Sequence, residues 1–226
     1  MNTLVTTGRL EMLVRFHPED LPPAPWLEDL RRLRAEVFYE DGRRPDFRRN
    51  GVYEDSSPLD LGSFHLSVHP AGEDRVVACA RVSPGSRSSL FQSREHLGGP
   101  AFDGLLASLG TAPADTAEAG RLVIARKHRG RGLGGHLLAS VPAVGEAIGA
   151  SLMFCTTGTV DGQDRLYAHY GWRACPGTDG FDPHYRDVVL VMSNDLGPMR
   201  RSEAVRAKVR RQLGDLPRTG SARLAI

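Results

Sequence analysis

Leu122-Val123-Ile124-Ala125-Arg126-Lys127-His128-Arg129-Gly130-Arg131-Gly132-Leu133-Gly134-Gly135-His136-Leu137-Leu138 carries an apolar run into a basic turn, then glycines at alternate positions, then a helix. Backbone N–H groups and a helix N-terminus then converge on one point, where they favour an anion of phosphate type. Gly130, Gly132 and Gly134 have no Cβ, so diphosphate oxygens can approach the main chain. Arg129 or Arg131 adds charge-assisted hydrogen bonds. The letters Gly130 to Gly135 also satisfy a dinucleotide fingerprint, which requires the glycines directly after the strand and an acid closing the next one. Here Arg126 to Arg129 intervene and the next strand ends in Cys155-Thr156-Thr157, so a diphosphate is expected without a nicotinamide.

Outward from this stretch, Leu137, Leu138, Val141 and Val144 continue at helical spacing, with Pro142 inside the run expected to kink or shorten the helix. Leu152 to Cys155 reads as a short buried strand, Gln163 to Tyr170 as a short helix and Asp187 to Met192 as a final strand. Upstream, Trp26, Leu27, Leu30, Leu33, Val37 and Phe38 mark an amphipathic helix ended by Asp41-Gly42. Residues 43–62, rich in Arg, Asp, Ser and Pro, read as an irregular connection of lid-like length. Phe64 to Val68 and Val76 to Val82 form an antiparallel pair across Pro70 to Asp74. A helix is expected near Phe102 to Leu109. The order is mixed α/β.

The 226 residues, 40% hydrophobic and 25% charged, suit one globular domain, placed at 1–198, with a basic helix or tail at 199–226. A net charge of +2 speaks against wholesale nucleic-acid binding. Arg200, Arg201, Arg206, Lys208, Arg210 and Arg211 leave contact with an acidic carrier protein open, beside the plainer reading of a solvated helix. Cys79, Cys155 and Cys175, odd in number and widely spaced, suit reduced thiols. No run approaches the roughly 20 apolar residues of a membrane span, and Met1 to Thr7 lacks the order of a signal peptide, so a cytoplasmic protein is expected. No histidine or cysteine spacing suggests a metal. Oligomeric state is open, a dimer included.

The glycine stretch resembles the signature of GCN5-related N-acetyltransferases (GNATs): Arg or Gln, two residues, Gly, one residue, then Gly or Ala. Arg129, Gly132 and Gly134 occupy it. Leu122-Val123-Ile124 resembles the family's central strand, and Leu166-Tyr167-Ala168-His169-Tyr170-Gly171-Trp172 its late helix-to-strand motif. The resemblance implies an α/β fold with a mixed central sheet, flanking helices and a V-shaped splay at the central strands. It also implies acyl-CoA or acetyl-CoA as co-substrate, held by Leu122, Val123, Ile124, Arg129, Gly130, Arg131, Gly132, Leu133, Gly134 and Gly135. Leu33 to Phe38, Glu54-Asp55, Asp60, Arg81 and Glu118-Ala119-Gly120-Arg121 resemble more loosely the motifs of acyl-homoserine-lactone and N-acyl amino acid synthases. The chain has Arg43-Arg44 where those synthases place a tryptophan.

Acyl transfer from a thioester needs a neutral amine, but an alkyl ammonium has a pKa near ~10.4, so a base is required. Glu118, heading the central strand, is the candidate, acting directly or through water; pairing with Arg121 is its structural alternative. The leaving thiolate, with a conjugate pKa near ~8.5, benefits from a proton donor. By resemblance Tyr167 supplies it, with Tyr170 the competing phenol. Charge on the carbonyl oxygen would meet a main-chain N–H of Val123 or Ile124, at the family's bulge. Arg81 and Arg121 could bind an acceptor carboxylate or form structural ion pairs, and Arg34 is read as structural. His128 and His136 flank the glycine loop. The leading expectation is N-acyl transfer to a small-molecule, amino-acid or peptide amine. The alternatives are an acyl-carrier-protein-dependent synthase and a non-catalytic acyl-CoA-binding or nucleic-acid-binding protein.

Overall fold

The structure, a computed structural model, describes residues 10–196 and the backbone of 221–225. Strand β1 (Leu10–His17) precedes α1 (Pro25–Glu40). A hairpin of β2 (Arg48–Arg49) and β3 (Val52–Tyr53) follows, then β4 (Ser63–Pro70), β5 (Ala78–Pro84), α2 (Gln92–Leu97) and α3 (Gly99–Ser108). Next come β6 (Thr116–Ile124), α4 (Leu133–Ala147), β7 (Leu152–Gly158), α5 (Gln163–His169), β8 (Arg173–Ala174), β9 (Gly180–Asp182), β10 (Asp187–Asp195) and β11 (Ser221–Ala225). One sheet has the order β11-β1-β4-β5-β6-β7-β10-β8, with β9 against β10. Its pairings are antiparallel except β6 with β7. This is the mixed α/β architecture expected of the fold.

Side chains alternate across a strand, so each strand feeds two faces. Ala78, Ala80, Ala117 and Ala119 pack with Leu137, Val141 and Val144 of α4. From the same strands, Cys79 and Val123 pack with Leu27, Leu30, Leu33 and Val37 of α1, while Phe154 joins Phe91, Phe102 and Leu106 beside α2 and α3. Pro25, whose fixed φ suits a first helical turn, opens α1. Pro142 lies inside α4, which continues to Ala147.

The parallel pairing that creates the site is short. Strands β6 and β7 pair only from Thr116↔Leu152 to Ala119↔Cys155. Beyond that, β6 stays with β5 as far as Ile124↔Ala78, and β7 stays with β10 as far as Gly158↔Val189. The two central strands therefore diverge as a V.

Strands β1, β8 and β9 and helix α2 were not anticipated, and β6 begins six residues before the expected Leu122. The basic helix expected after residue 198 lies outside the described residues, although β11 pairs with β1 through Glu11↔Ala225 to Arg15↔Ser221. Among the described residues no helix is long and apolar enough to cross a membrane, and no group of side chains could hold a metal ion. The three cysteines are free and buried.

Candidate active site

A β-bulge shapes the central strand. Cys79 faces Val123 and Arg81 faces Gly120, so Ala80 stands against two residues, Arg121 and Leu122. Arg121 has φ +54°, a conformation costly for a residue with a Cβ and found mostly where surrounding structure enforces it. Above the bulge, Ala125 N–H donates to Val77 O at 2.9 Å. Alternation then turns the Val123 N–H toward β5 and the Ile124 groups into the V. In agreement, the Ile124 carbonyl accepts from Arg129 Nε at 3.0 Å rather than from β5. Of the two backbone donors expected for a carbonyl oxygen, Ile124 faces the cleft.

At the top of the V the glycine loop enters α4. Gly132 caps the helix with φ +79°, and a Cβ there would meet nothing within 4 Å. No side chain caps the helix, so its first N–H groups remain available to a ligand. Leu133 is buried, whereas Gly130 and Arg131 are exposed. Gly135 has a packing reason: a Cβ would stand 2.2 Å from the Tyr170 hydroxyl, so α5 can lie against α4 only over a glycine. These features fit a diphosphate at the loop. Arg129, however, places Nη1 and Nη2 at 3.0 and 2.6 Å from the Asp41 carboxylate. Arg43, two residues on from Asp41, donates to Asp161 at 2.6 Å and to Gln163 at 3.3 Å on the opposite arm. Residues 41–44 thus form a strap over the mouth of the V.

Beneath the strap a cleft of about 560 Å³ runs from Arg129 and Gly134 past Leu122, Val123 and Ile124 to Tyr167. It shares Leu122, Phe38, Arg43, Gln163 and Tyr167 with a central cavity of about 70 Å³, which also touches Gly120, Arg121, Thr157 and Tyr185. On the far side a second open cleft, about 620 Å³, shares Gln92 and Arg121 with that cavity. Two approaches therefore meet at one point. Tyr167 stands there against Trp172, ring centroids 5.6 Å apart, and burial pushes its phenol well above the usual tyrosine range, so it keeps its proton. Tyr170 lies outside these linings, over Gly135.

Sequence reading missed Tyr185. It follows Asp182, whose Oδ1 accepts from His184 and Tyr185 N–H at 2.8 and 3.2 Å. Its ring packs edge-on to Phe38 at 5.8 Å, and its hydroxyl lies 2.9 Å from Arg121 Nη1. The only local signal was an Asp-Pro-containing turn before a strand.

The arginines expected to bind a carboxylate already hold carboxylates of the chain. Asp60 accepts from Arg31 Nε at 2.9 Å, from Arg34 at 2.7 and 2.8 Å, and from Arg81 Nη1 at 2.9 Å. Asp55 accepts from Arg121 at 2.8 and 3.1 Å and lies 2.9 Å from Arg34 Nε. Arg34, Arg81, Asp55 and Asp60 are buried. Arg81 does not line the cavities described above, whereas Arg121 lines two of them and offers Nη1 beside Tyr185.

Glu118 lies near the head of the central strand β6, as expected, with its carboxylate turned to the start of α2. Its carboxylate is 1% exposed and accepts from the backbone N–H groups of Gln92 and Ser93 at 2.7 and 2.8 Å and from Ser93 Oγ at 2.7 Å, at the start of α2. It lines none of the three spaces above and does not contact Arg121. Its hydrogen bond from the Gln92 N–H fixes a residue of the cavity wall. Burial raises its pKa, against the Ser93 and Gln92 hydrogen bonds. The folded chain therefore binds this proton more tightly than the unfolded chain, and the Glu118 contribution to stability falls as pH rises through the window above 4.5. Glu118→Gln is expected to flatten that dependence and to cost about 1–3 kcal/mol in urea titrations at pH 7 through hydrogen bonds lost or weakened at α2. A direct base would instead show activity lost by orders of magnitude with stability intact.

Residues 33–139 match the model of the acetyltransferase (GNAT) domain, which supports reading the chain as an acyltransferase. No curated protein matches it. Among solved structures it resembles the CoA-dependent acyl-homoserine lactone synthase BjaI, described with SAM and isopentyl-CoA, at 21% identity and TM-score 0.59, covering 81% of this chain and 82% of that one. The acyl-homoserine lactone synthase LasI matches at 12% identity and TM-score 0.60, covering 88% of this chain and 94% of that one. An acyl-CoA N-acyltransferase from Pseudomonas aeruginosa matches at 18% identity and TM-score 0.56, covering 82% of this chain and 99% of that one. At these identities the likeness is one of fold.

Proposed function

We propose that the chain moves an acyl group from acyl-CoA to the amine of a small molecule or peptide by direct attack. The observation that carries this reading is the meeting of two open clefts at one small cavity containing Tyr167 and the bulged β6 edge. The donor lies in the cleft that begins at the glycine loop, its diphosphate at the N-terminus of α4 and its pantetheine along Leu122 to Ile124. Coenzyme A supplies the thioester.

The amine enters past Gln92 and Arg121. Its nitrogen attacks the thioester carbon, the Ile124 N–H receives the charge forming on the oxygen, and the C–S bond breaks as Tyr167 protonates the sulfur. The acceptor ammonium first gives one proton to water in the acceptor cleft to become the nucleophile; after attack a second amine proton leaves to water, and water restores the Tyr167 proton. Glu118 supports the step from one residue away, through Gln92.

A second reading, an N-acyl amino acid or acyl-homoserine-lactone synthase, is favoured by the buried Arg34, Asp55, Asp60, Arg81 and Arg121 cluster, whose members are the residues that resemble those synthases. An acyl-carrier protein is its alternative donor. Titrating the purified chain with acetyl-, octanoyl- and lauroyl-CoA, then comparing turnover with the matching acyl-carrier proteins, tests both. Saturable acyl-CoA binding with CoA release is expected; turnover only from the carrier proteins favours the second reading, and no binding of either donor overturns the proposal.

A further inference from the structure

The proton of Tyr185 meets no acceptor among the described residues. Its hydroxyl oxygen lies 2.9 Å from Arg121 Nη1 and 3.5 Å from Gln92 Nε2. Arg121 is a donor only and Gln92 turns its amide nitrogen to the phenol and its oxygen toward Gly120, so both give hydrogen bonds to the phenol oxygen and leave its O–H without a partner among the described residues. Tyr185 is also over-determined. Asp182 fixes its backbone, Phe38 its ring, Arg44 N–H holds His184 O at 2.9 Å, and the next residue, Arg186, takes φ +51°. A strained, fully braced turn that ends in one unspent donor is expected at a ligand contact.

The position of that donor says which ligand. Arg121 and Gln92, the two residues that hold the phenol, are the residues shared by the central cavity and the acceptor cleft. The central cavity is lined by Arg43, Gln92, Arg121, Gln163 and two phenols, and by no carboxylate. The Thr157 hydroxyl, also in its wall, is buried without a partner. Donors surround this space and no charged acceptor faces it.

We infer that Tyr185 is an acceptor-positioning and specificity residue: its O–H, beside Arg121, binds a carboxylate oxygen of an amine substrate, so that the acceptor is an amine that also carries a carboxylate. This rests on the acyl-transfer reading above and adds to it a residue and a substrate class. With the carboxylate held at Tyr185 and Arg121, the amine one carbon away is kept near the thioester in the same small cavity, which converts a collision into an oriented attack.

The test pairs amino acids with their decarboxylated amines, phenylalanine with phenethylamine and tryptophan with tryptamine, using octanoyl-CoA and following CoA release and product mass. The wild-type chain is expected to favour the carboxylate-bearing member of each pair. Tyr185→Phe should reduce that preference about tenfold through the acceptor KM, with donor Kd and melting temperature unchanged. Gln92→Glu, which gives the phenol a protein acceptor and opposes an incoming carboxylate, should reduce it as well. The inference is overturned if the wild type binds the donor but prefers the decarboxylated amines or uses neither set, or if Tyr185→Phe leaves the preference intact. Failure to bind octanoyl-CoA, acetyl-CoA or lauroyl-CoA at all overturns the acyl-transfer reading instead.

Discussion

Asp60→Asn should cost the protein about 3–5 kcal/mol, the range seen when one partner of a buried ion pair is removed and its counter-charge stays inside. Three guanidinium groups depend on this carboxylate: Arg31 and Arg34 from α1, and Arg81 from β5. The Asp60 side chain is fully buried, and those of Arg34 and Arg81 are 1% exposed, so water cannot replace the lost charge. Arg34 keeps Asp55, whereas Arg81 has no other ion pair among the described residues. Urea titration at pH 7 measures the cost, and a loss below about 1 kcal/mol would place the pair in the class of exposed salt bridges.

The same substitution has a pH signature. Burial alone would raise the Asp60 carboxyl, but Arg34 and Arg81 more than reverse it and hold the group well below its usual 3.8. A depressed carboxyl contributes stability above its unfolded pKa and loses it as pH falls, because the unfolded chain then takes up a proton that the folded chain refuses. The wild type should therefore lose stability progressively below about pH 4, and Asp60→Asn should lose less over that interval. Asp55, also lowered, sustains the acid sensitivity that remains in the variant.

Tyr167→Phe should lower kcat about 100-fold, the lower end of what a general acid contributes, since a thiolate is a fair leaving group even unaided. The ring and its packing on Trp172 survive the change, so donor affinity and melting temperature should not move. The discriminating measurement is a donor whose thiol is already acidic. With an aryl thioester the deficit should shrink to severalfold, because protonation no longer matters to departure. Equal losses with both donors would show that the phenol does something other than protonate sulfur.

Much of the glycine loop and of helices α1 and α4 was legible in the chain because their signals are local. Apolar residues at helical spacing placed α1 within two residues at its C-terminal end, since Asp41-Gly42 stops it. The glycine loop could be read because Gly132 answers a local need, a left-handed cap, whereas Gly135 answers a tertiary one, the Tyr170 side chain seated over it. Strand β1 escaped notice because Leu10, Glu11, Met12, Leu13, Val14 and Arg15 break polar–apolar alternation, and both Met12 and Leu13 are buried. Helix α2 escaped because its single buried residue is Ser93, so there was no apolar period to find.

The sequence by itself determined the glycine turn into α4, the mixed α/β order and the inventory of arginines, carboxylates and phenols, since each follows from neighbours a few residues apart. Tertiary structure alone decided their employment. Arg34 reads as structural from the sequence, but only the packing of α1 on β5 brings it, with Arg31 and Arg81, onto the one carboxylate of Asp60. Glu118 and Gln92 are separated by 26 residues, and Arg121 and Tyr185 by 64. No local spacing encodes such contacts, because they form only when the sheet closes and water is expelled. That closure assigns one carboxylate to a helix start, another to a buried cation cluster, and a phenol from a surface turn to the wall of the central cavity.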